Sequence, residues 1–287
     1  RAAAFILTAA MLTTLTAPAF AKTWDIADGD ITVKAGDTGN DVTQKGETTY
    51  GDTDTIITNQ NKDIASSNTV TIETNDKNDK VEVTLKDVNI NVGSDSGSAL
   101  TSNGDVTLTL KGDNSLTGGN GGSGISSSGS LTITGGEKDS LTAQGGSGRS
   151  GIFSSGGVTI SGGTVNATGG SSGSDSGDGI HSGSLTMKGG TVNAKGGSGA
   201  DGGSGIRTFS SGGVTISGGS TVNATGGDAS DKDASAGGSG ISGKGSLTVS
   251  GGTVTANGGN GSKSESSDRS NGGRGIDSGS LTVSGGT

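Results

Sequence analysis

The chain has 287 residues, of which 61, about 21%, are glycine, and it carries a formal net charge of −9. Hydrophobic residues make up 26% and aromatic residues 2%, too few for the thick core of a compact globular domain of this length. The acidic balance argues against nucleic acid and anionic membrane surfaces as partners, and the absence of cysteine excludes a disulfide framework or a thiolate metal site.

Such a composition by itself reads as disorder. The order of the residues does not. Proline occurs once, at Pro18, so neither a collagen repeat nor a Pro-Gly linker is present. The segment Ala2 to Ala17 is apolar with interspersed threonines and runs into Pro18 and Ala19-Phe20-Ala21. That pattern predicts a secretory signal peptide over 1–21, cut after Ala21, with a truncated basic start at Arg1. No membrane insertion is expected once it is removed. The chain ends at Thr287 in mid-repeat, so the repeated coils are expected to be truncated at the C-terminus.

Residues 22–99 alternate apolar and polar in Ile31/Val33, Val70/Ile72, Val81/Val83/Leu85 and Val88/Ile90/Val92. This predicts strands that form a cap and the first irregular coils of a larger repeat, with a separate small β-domain as the alternative.

From residue 100 to 287 one phrase recurs. It is Gly-Ile, a short polar step, Gly-Ser-Leu-Thr-Ile or Gly-Val-Thr-Ile, Gly-Gly, Thr-Val-Asn-Ala, and a Gly-Ser loop. The residue after the loop is Leu100, Ile125, Ile152, Ile180, Ile206, Ile241 and Ile276, at spacings of 25, 27, 28, 26, 35 and 35. Repeats of this length with variable loops are solenoid coils. Within one coil the period is two, as in Val158/Ile160 and Val165/Ala167, so the apolar residues of each short strand share one face. Three short strands per coil, joined at glycine corners, predict an all-β fold, a right-handed parallel β-helix with about five inward residues per coil. A single coil cannot stand alone, because burying five side chains offsets only part of the entropy lost in ordering some 27 residues, about 1 kcal/mol or more each.

Several outward positions are candidates for chemistry. Thr107, Thr132, Thr159, Thr186, Thr215, Thr248 and Thr282 form one column, which suits strand structure and also suggests an ice-binding array. Asn166, Asn193 and Asn223 form another, either a stabilising amide ladder or a polar ridge for sugar hydroxyls. Phe153 and Phe209 follow the Gly-Ile anchors closely and are candidate sugar platforms. Acidic residues on glycine loops, Asp175, Asp178, Asp228, Asp231, Asp233, Glu265 and Asp268, are candidate Ca²⁺ ligands or solvated loop charge. Gly196-Gly197-Ser198-Gly199-Ala200-Asp201 is a single match to the calcium-binding nonapeptide, with Gly203 where an apolar residue is expected. His181 is the only histidine, and no nucleophile motif accompanies it, so no catalytic residue is expected.

The repeated Gly-Ser-Leu-Thr-Ile-x-Gly-Gly phrase, and Asp178-Gly179-Ile180-His181-Ser182, resemble the carbohydrate-binding β-helix proteins of anaerobic and gut Firmicutes. Thr23-Trp24-Asp25-Ile26 through Asp30-Ile31-Thr32-Val33 resembles the start of exported surface proteins carrying such repeats. The resemblance implies a non-catalytic solenoid like that of pectate lyase, a polysaccharide ligand, and calcium in at least one member. The acidic Asp-Gly-Ile corner occurs here only at Asp178; elsewhere Ser-Gly or Arg-Gly precedes the isoleucine. The expected function is carbohydrate binding at or outside a bacterial cell surface. A structural or adhesive stalk is the alternative, and a polysaccharide lyase or hydrolase a third.

Overall fold

A computed structural model describes residues 21–75, 79–209, 211–230, 235–262 and 271–287. The signal peptide expected over 1–21 therefore falls, but for Ala21, outside the described residues. The fold is an all-β parallel solenoid of about 6 turns. Among the described residues the only helical piece is one 3₁₀ turn, Ile26–Asp28.

One coil illustrates how the sequence builds it. Along Ile152–Ile160 the buried residues are Ile152, Ser154, Val158 and Ile160, separated by a break in register between Ser154 and Gly157. Gly162 and Gly163 turn the chain, Gly163 at φ 77°, a backbone conformation that costs glycine nothing. Along Thr164–Thr168 the buried residues are Val165 and Ala167. A Gly-Ser loop then returns to Ile180, which pairs directly with Ile152. Every coil repeats the scheme, so that Ile125, Ile152, Ile180, Ile206, Ile241 and Ile276 stack in register. Asn89–Asn91, Asp113–Thr117, Ser140–Gln144, Thr164–Thr168, Thr191–Lys195, Thr221–Thr225 and Thr253–Asn257 form a seven-stranded parallel sheet on the opposite side.

Five successive coils bury one more position than the five predicted. Ser102, Ser127, Ser154, Ser182 and Thr208 form an inward hydroxyl column at the corner of the first strand. The Ser154 hydroxyl donates to Gly129 O at 2.8 Å and the Thr208 hydroxyl to Gly212 O at 2.9 Å. At those corners the peptide thus takes a hydrogen bond from inside the coil, which a purely apolar residue could not supply, whereas the buried Ser102 and Ser182 hydroxyls make none.

At the N-terminal end, Ile31–Ala35 pairs in parallel with Val70–Glu73, and that strand with Leu100–Ser102. Asn40–Gln44 and Glu47–Asp52 continue from Ile31–Ala35 as an antiparallel hairpin, turning at Lys45 and Gly46 with φ of 54° and 79°. Trp24 lies 4% exposed above Ile57 and Leu85, and its indole N–H donates to the wholly buried carboxylate of Asp52 at 2.9 Å. At the other end Leu281 and Val283 of the last strand, Ile276–Val283, are 52% and 58% exposed.

The coils approach so closely that some loop positions admit only glycine. A Cβ on Gly170 would collide with the carbonyl oxygen of Gly146 in the preceding coil, whereas one on Gly173 would meet nothing within 4 Å. Gly170→Ala is expected to lose about 1–3 kcal/mol in urea unfolding and Gly173→Ala to stay within about 0.5 kcal/mol of wild type.

Asp139 ties two coils together. Its carboxylate accepts from Gly136 N at 2.7 Å and from Gly112 N at 2.8 Å. Those two N–H groups, Gly136 first, hold its carboxyl below the ordinary carboxylate range. A folded-state value below the unfolded one stabilises the fold above about pH 4, and that contribution is lost as pH falls through the folded value. Asp139→Asn is expected to be less stable by about 1 kcal/mol at neutral pH, with the gap closing in acid, as read by unfolding curves across pH.

Candidate functional site

In the first strand of each coil the residue after the buried isoleucine faces outward, because side chains alternate along a strand. Parallel register then brings one such residue per coil into a column. From the second described coil onward that column reads Ser126, Phe153, His181, Arg207, Ser242 and Asp277. Phe209, two residues beyond Arg207 on the same face, joins it at 37% exposure.

Three rings meet here. Phe153 and His181 lie edge to face with centroids 5.7 Å apart, and Phe153 and Phe209 likewise at 6.1 Å. His181 and Phe209 are tilted by 41° at 4.6 Å. These separations are those of favourable aromatic pairs.

Asp178 anchors the polar side of the cluster. It sits in the loop just before Ile180, with its side chain only 5% exposed. One oxygen accepts from Ser204 N at 2.6 Å. The other faces His181 Nδ1 at 3.1 Å and Arg207 Nε at 3.3 Å. A buried carboxylate needs such partners, and in return it fixes the imidazole and the guanidinium in place. Arg207 keeps 46% of its side chain in solvent, so its guanidinium stays accessible. Arg149, on the neighbouring loop, is exposed.

Two depressions of about 730 and 410 Å³ meet at His181 and Arg207. The first extends over Phe209, Ser242, Lys244 and Asp277, the second over Phe153, Asp178, Arg149 and Ser126. Together they make a shallow groove that crosses the strands and follows the solenoid axis. Apolar ring faces beside fixed charged donors and acceptors suit a flat, hydroxyl-rich ligand.

The other expected site residues lie elsewhere. Asn166, Asn193 and Asn223 are on the seven-stranded sheet, away from the phenylalanines. Asn193 Nδ2 donates to Asn166 Oδ1 at 2.8 Å and Asn223 Nδ2 to Asn193 Oδ1 at 2.8 Å. The amides are bonded to each other as a ladder along the axis, the stabilising role expected of this column; each bond uses one N–H and one oxygen lone pair. The outward threonines stack in register from Thr107 to Thr282, but the adjacent column turns Ser217 and Ser250 back onto backbone carbonyls and breaks the two-row array.

The expected calcium ligands do not converge. Asp231 and Asp233, like Glu265 and Asp268, lie outside the described residues. Asp175 is exposed, Asp228 accepts from the backbone and side-chain amides of Asn260, and Asp178 is occupied by Ser204, His181 and Arg207. Among the described residues no three His, Asp or Glu side chains are grouped to hold a metal ion. Asp178 faces a guanidinium, and a dication would have to displace it, so Asp178 does not fit a calcium site.

His181 and Arg207 were not read as binding residues from the sequence. The signal was present: both occupy the Gly-Ile-x slot, and reading that slot down the coils places them beside Phe153. Comparison of the chain with protein-family models, with curated proteins and with solved structures gives no match.

Asp178→Ala is expected to cost about 1–3 kcal/mol, because it strands the buried Ser204 N–H and frees Arg207. Asp178→Asn, whose amide oxygen still accepts from Ser204, is expected to cost less; equilibrium unfolding of the two variants checks the order.

Proposed function

We propose that the protein is a secreted or cell-surface, non-catalytic carbohydrate-binding solenoid that holds a polysaccharide against the outward face of its first-strand sheet. One observation carries the reading. Phenylalanine occurs four times in the chain and histidine once, and both phenylalanines of the described residues meet the histidine at one spot. The rings stabilise one another pairwise, but that pairing does not use the faces they leave toward solvent. A sugar ring does: its C–H face packs on the aromatic faces, and its hydroxyls find Arg207, Arg149 and the serines of the column. The resemblance to carbohydrate-binding β-helix proteins points the same way. Calcium has no part in this reading.

A structural stalk is the second reading. The amide ladder from Asn166 to Asn223 and the continuous seven-stranded sheet favour it, since both serve axial rigidity.

Affinity electrophoresis through gels containing soluble polysaccharides separates the two. The wild-type protein is expected to be retarded by at least one polymer, with unchanged retardation in chelator, and Phe209→Ala to lower the affinity at least about tenfold, the loss of one well-packed ring. No retardation by plant, mucin or bacterial wall polymers would leave the stalk.

A further inference from the structure

The groove does not stop at the aromatic cluster. The outward column continues toward the N-terminus as Ser126, Thr101, Thr71 and Thr32, each paired in register with the next. Beyond Thr32 the hairpin adds Thr43 and then Thr48, whose hydroxyls are 2.7 Å apart. At its far edge stands Tyr50, 69% exposed, the most exposed aromatic side chain among the described residues.

The depressions are contiguous along this path. One of about 510 Å³ beside Tyr50 shares Glu73 with a second of about 290 Å³, and the second shares Ser126 and Phe153 with the groove at His181. From the Tyr50 strand to the Arg207 strand there are eight strand spacings. At about 4.8 Å per strand they make a face on the order of 40 Å long.

Its charge is divided along its length. Asp37, Asp41 and Glu73 outnumber Lys34 near Tyr50, and Arg149 and Arg207 outnumber Asp178 near the rings. The chain as a whole is at −9, yet the face is close to balanced. A polyanion would be attracted at the rings and repelled at Tyr50, and a polycation the reverse. An uncharged chain meets no such conflict, since carboxylates and guanidinium groups both hydrogen-bond hydroxyls.

We propose that Tyr50 is a second, remote subsite of the same groove, and that the ligand is a long, uncharged polysaccharide lying along the solenoid axis from Tyr50 to Phe209. This rests on the carbohydrate-binding reading above and adds to it a residue, a length and a charge class. Two sites joined by one chain bind it more tightly than either alone.

The test uses the whole chain in gels of mixed-linkage β-glucan, xyloglucan, galactomannan and polygalacturonate, with the trisaccharide of the best-retained polymer as a short probe in calorimetry. The expected result is retention by a neutral polymer, a fall of about tenfold in polymer affinity for Tyr50→Ala, and no change in its trisaccharide affinity. Because Tyr50 is so exposed, the variant is expected to unfold as wild type does. If Phe209→Ala loses the polymer while Tyr50→Ala keeps it, the remote subsite is overturned and the carbohydrate reading stands. Retention by polygalacturonate alone overturns the uncharged ligand. Retention by none of the four overturns the inference, and the wider polymer screen then decides the carbohydrate reading by itself.

Discussion

The structure depends on coil-to-coil register. Each strand hydrogen-bonds only to the strand above and below, so a residue's environment is set by the residues at the same slot in neighbouring coils rather than by its own flanks. Ile180 is buried between Ile152 and Ile206 in the same way that Val192 is buried between Val165 and Val222. A shift of one residue would turn every such column to solvent, and the alternation of faces makes that shift costly across the whole stack. The glycines enforce the same register from outside, since loops such as Gly170 over Gly146 close only when no side chain intervenes.

Register also makes the candidate site. Phe153, His181 and Arg207 are 28 and 26 residues apart in the chain, and they are neighbours only because the isoleucines before them are stacked. The loops can vary in length without disturbing this, because the strands reset the register in every coil. Asp178 shows the economy of the arrangement: it lies on a variable loop, yet it reaches the next coil's Ser204 and Arg207 and thereby holds the outward guanidinium still. On the opposite sheet the same stacking turns three asparagines into a ladder of amide hydrogen bonds along the axis. Whether a repeated polar residue is structural or available depends on whether its equivalent in the next coil can satisfy it. Identical amides can, whereas His181 and Arg207 take their partner from the loop carboxylate of Asp178 and Phe153 packs on the neighbouring rings.

Most of the fold was legible in the sequence. The period of two, the Gly-Gly corners and the spacings from Leu100 to Ile276 specify a parallel solenoid and name its apolar columns. The inward serines were missed because polarity was given more weight than alternation, although Ser154 follows Ile152 at the buried spacing. The candidate site was half legible. Phe153 and Phe209 stand out as rare aromatics and Asp178 as the one Asp-Gly-Ile corner, but the burial of Asp178 against Arg207, which exposed Asp175 does not share, arises only between coils.

The sequence by itself determined the repeat, the strand periodicity and the thin core, because these are local properties, read from residues within one coil. Only the tertiary structure decided which outward residues act together. It put the asparagines on one side and the rings on the other, buried Asp178 against Arg207, and joined the Tyr50 hairpin to the same face. Those outcomes rest on contacts between coils, and such contacts arise from stacking distance and facing direction, which no single coil contains.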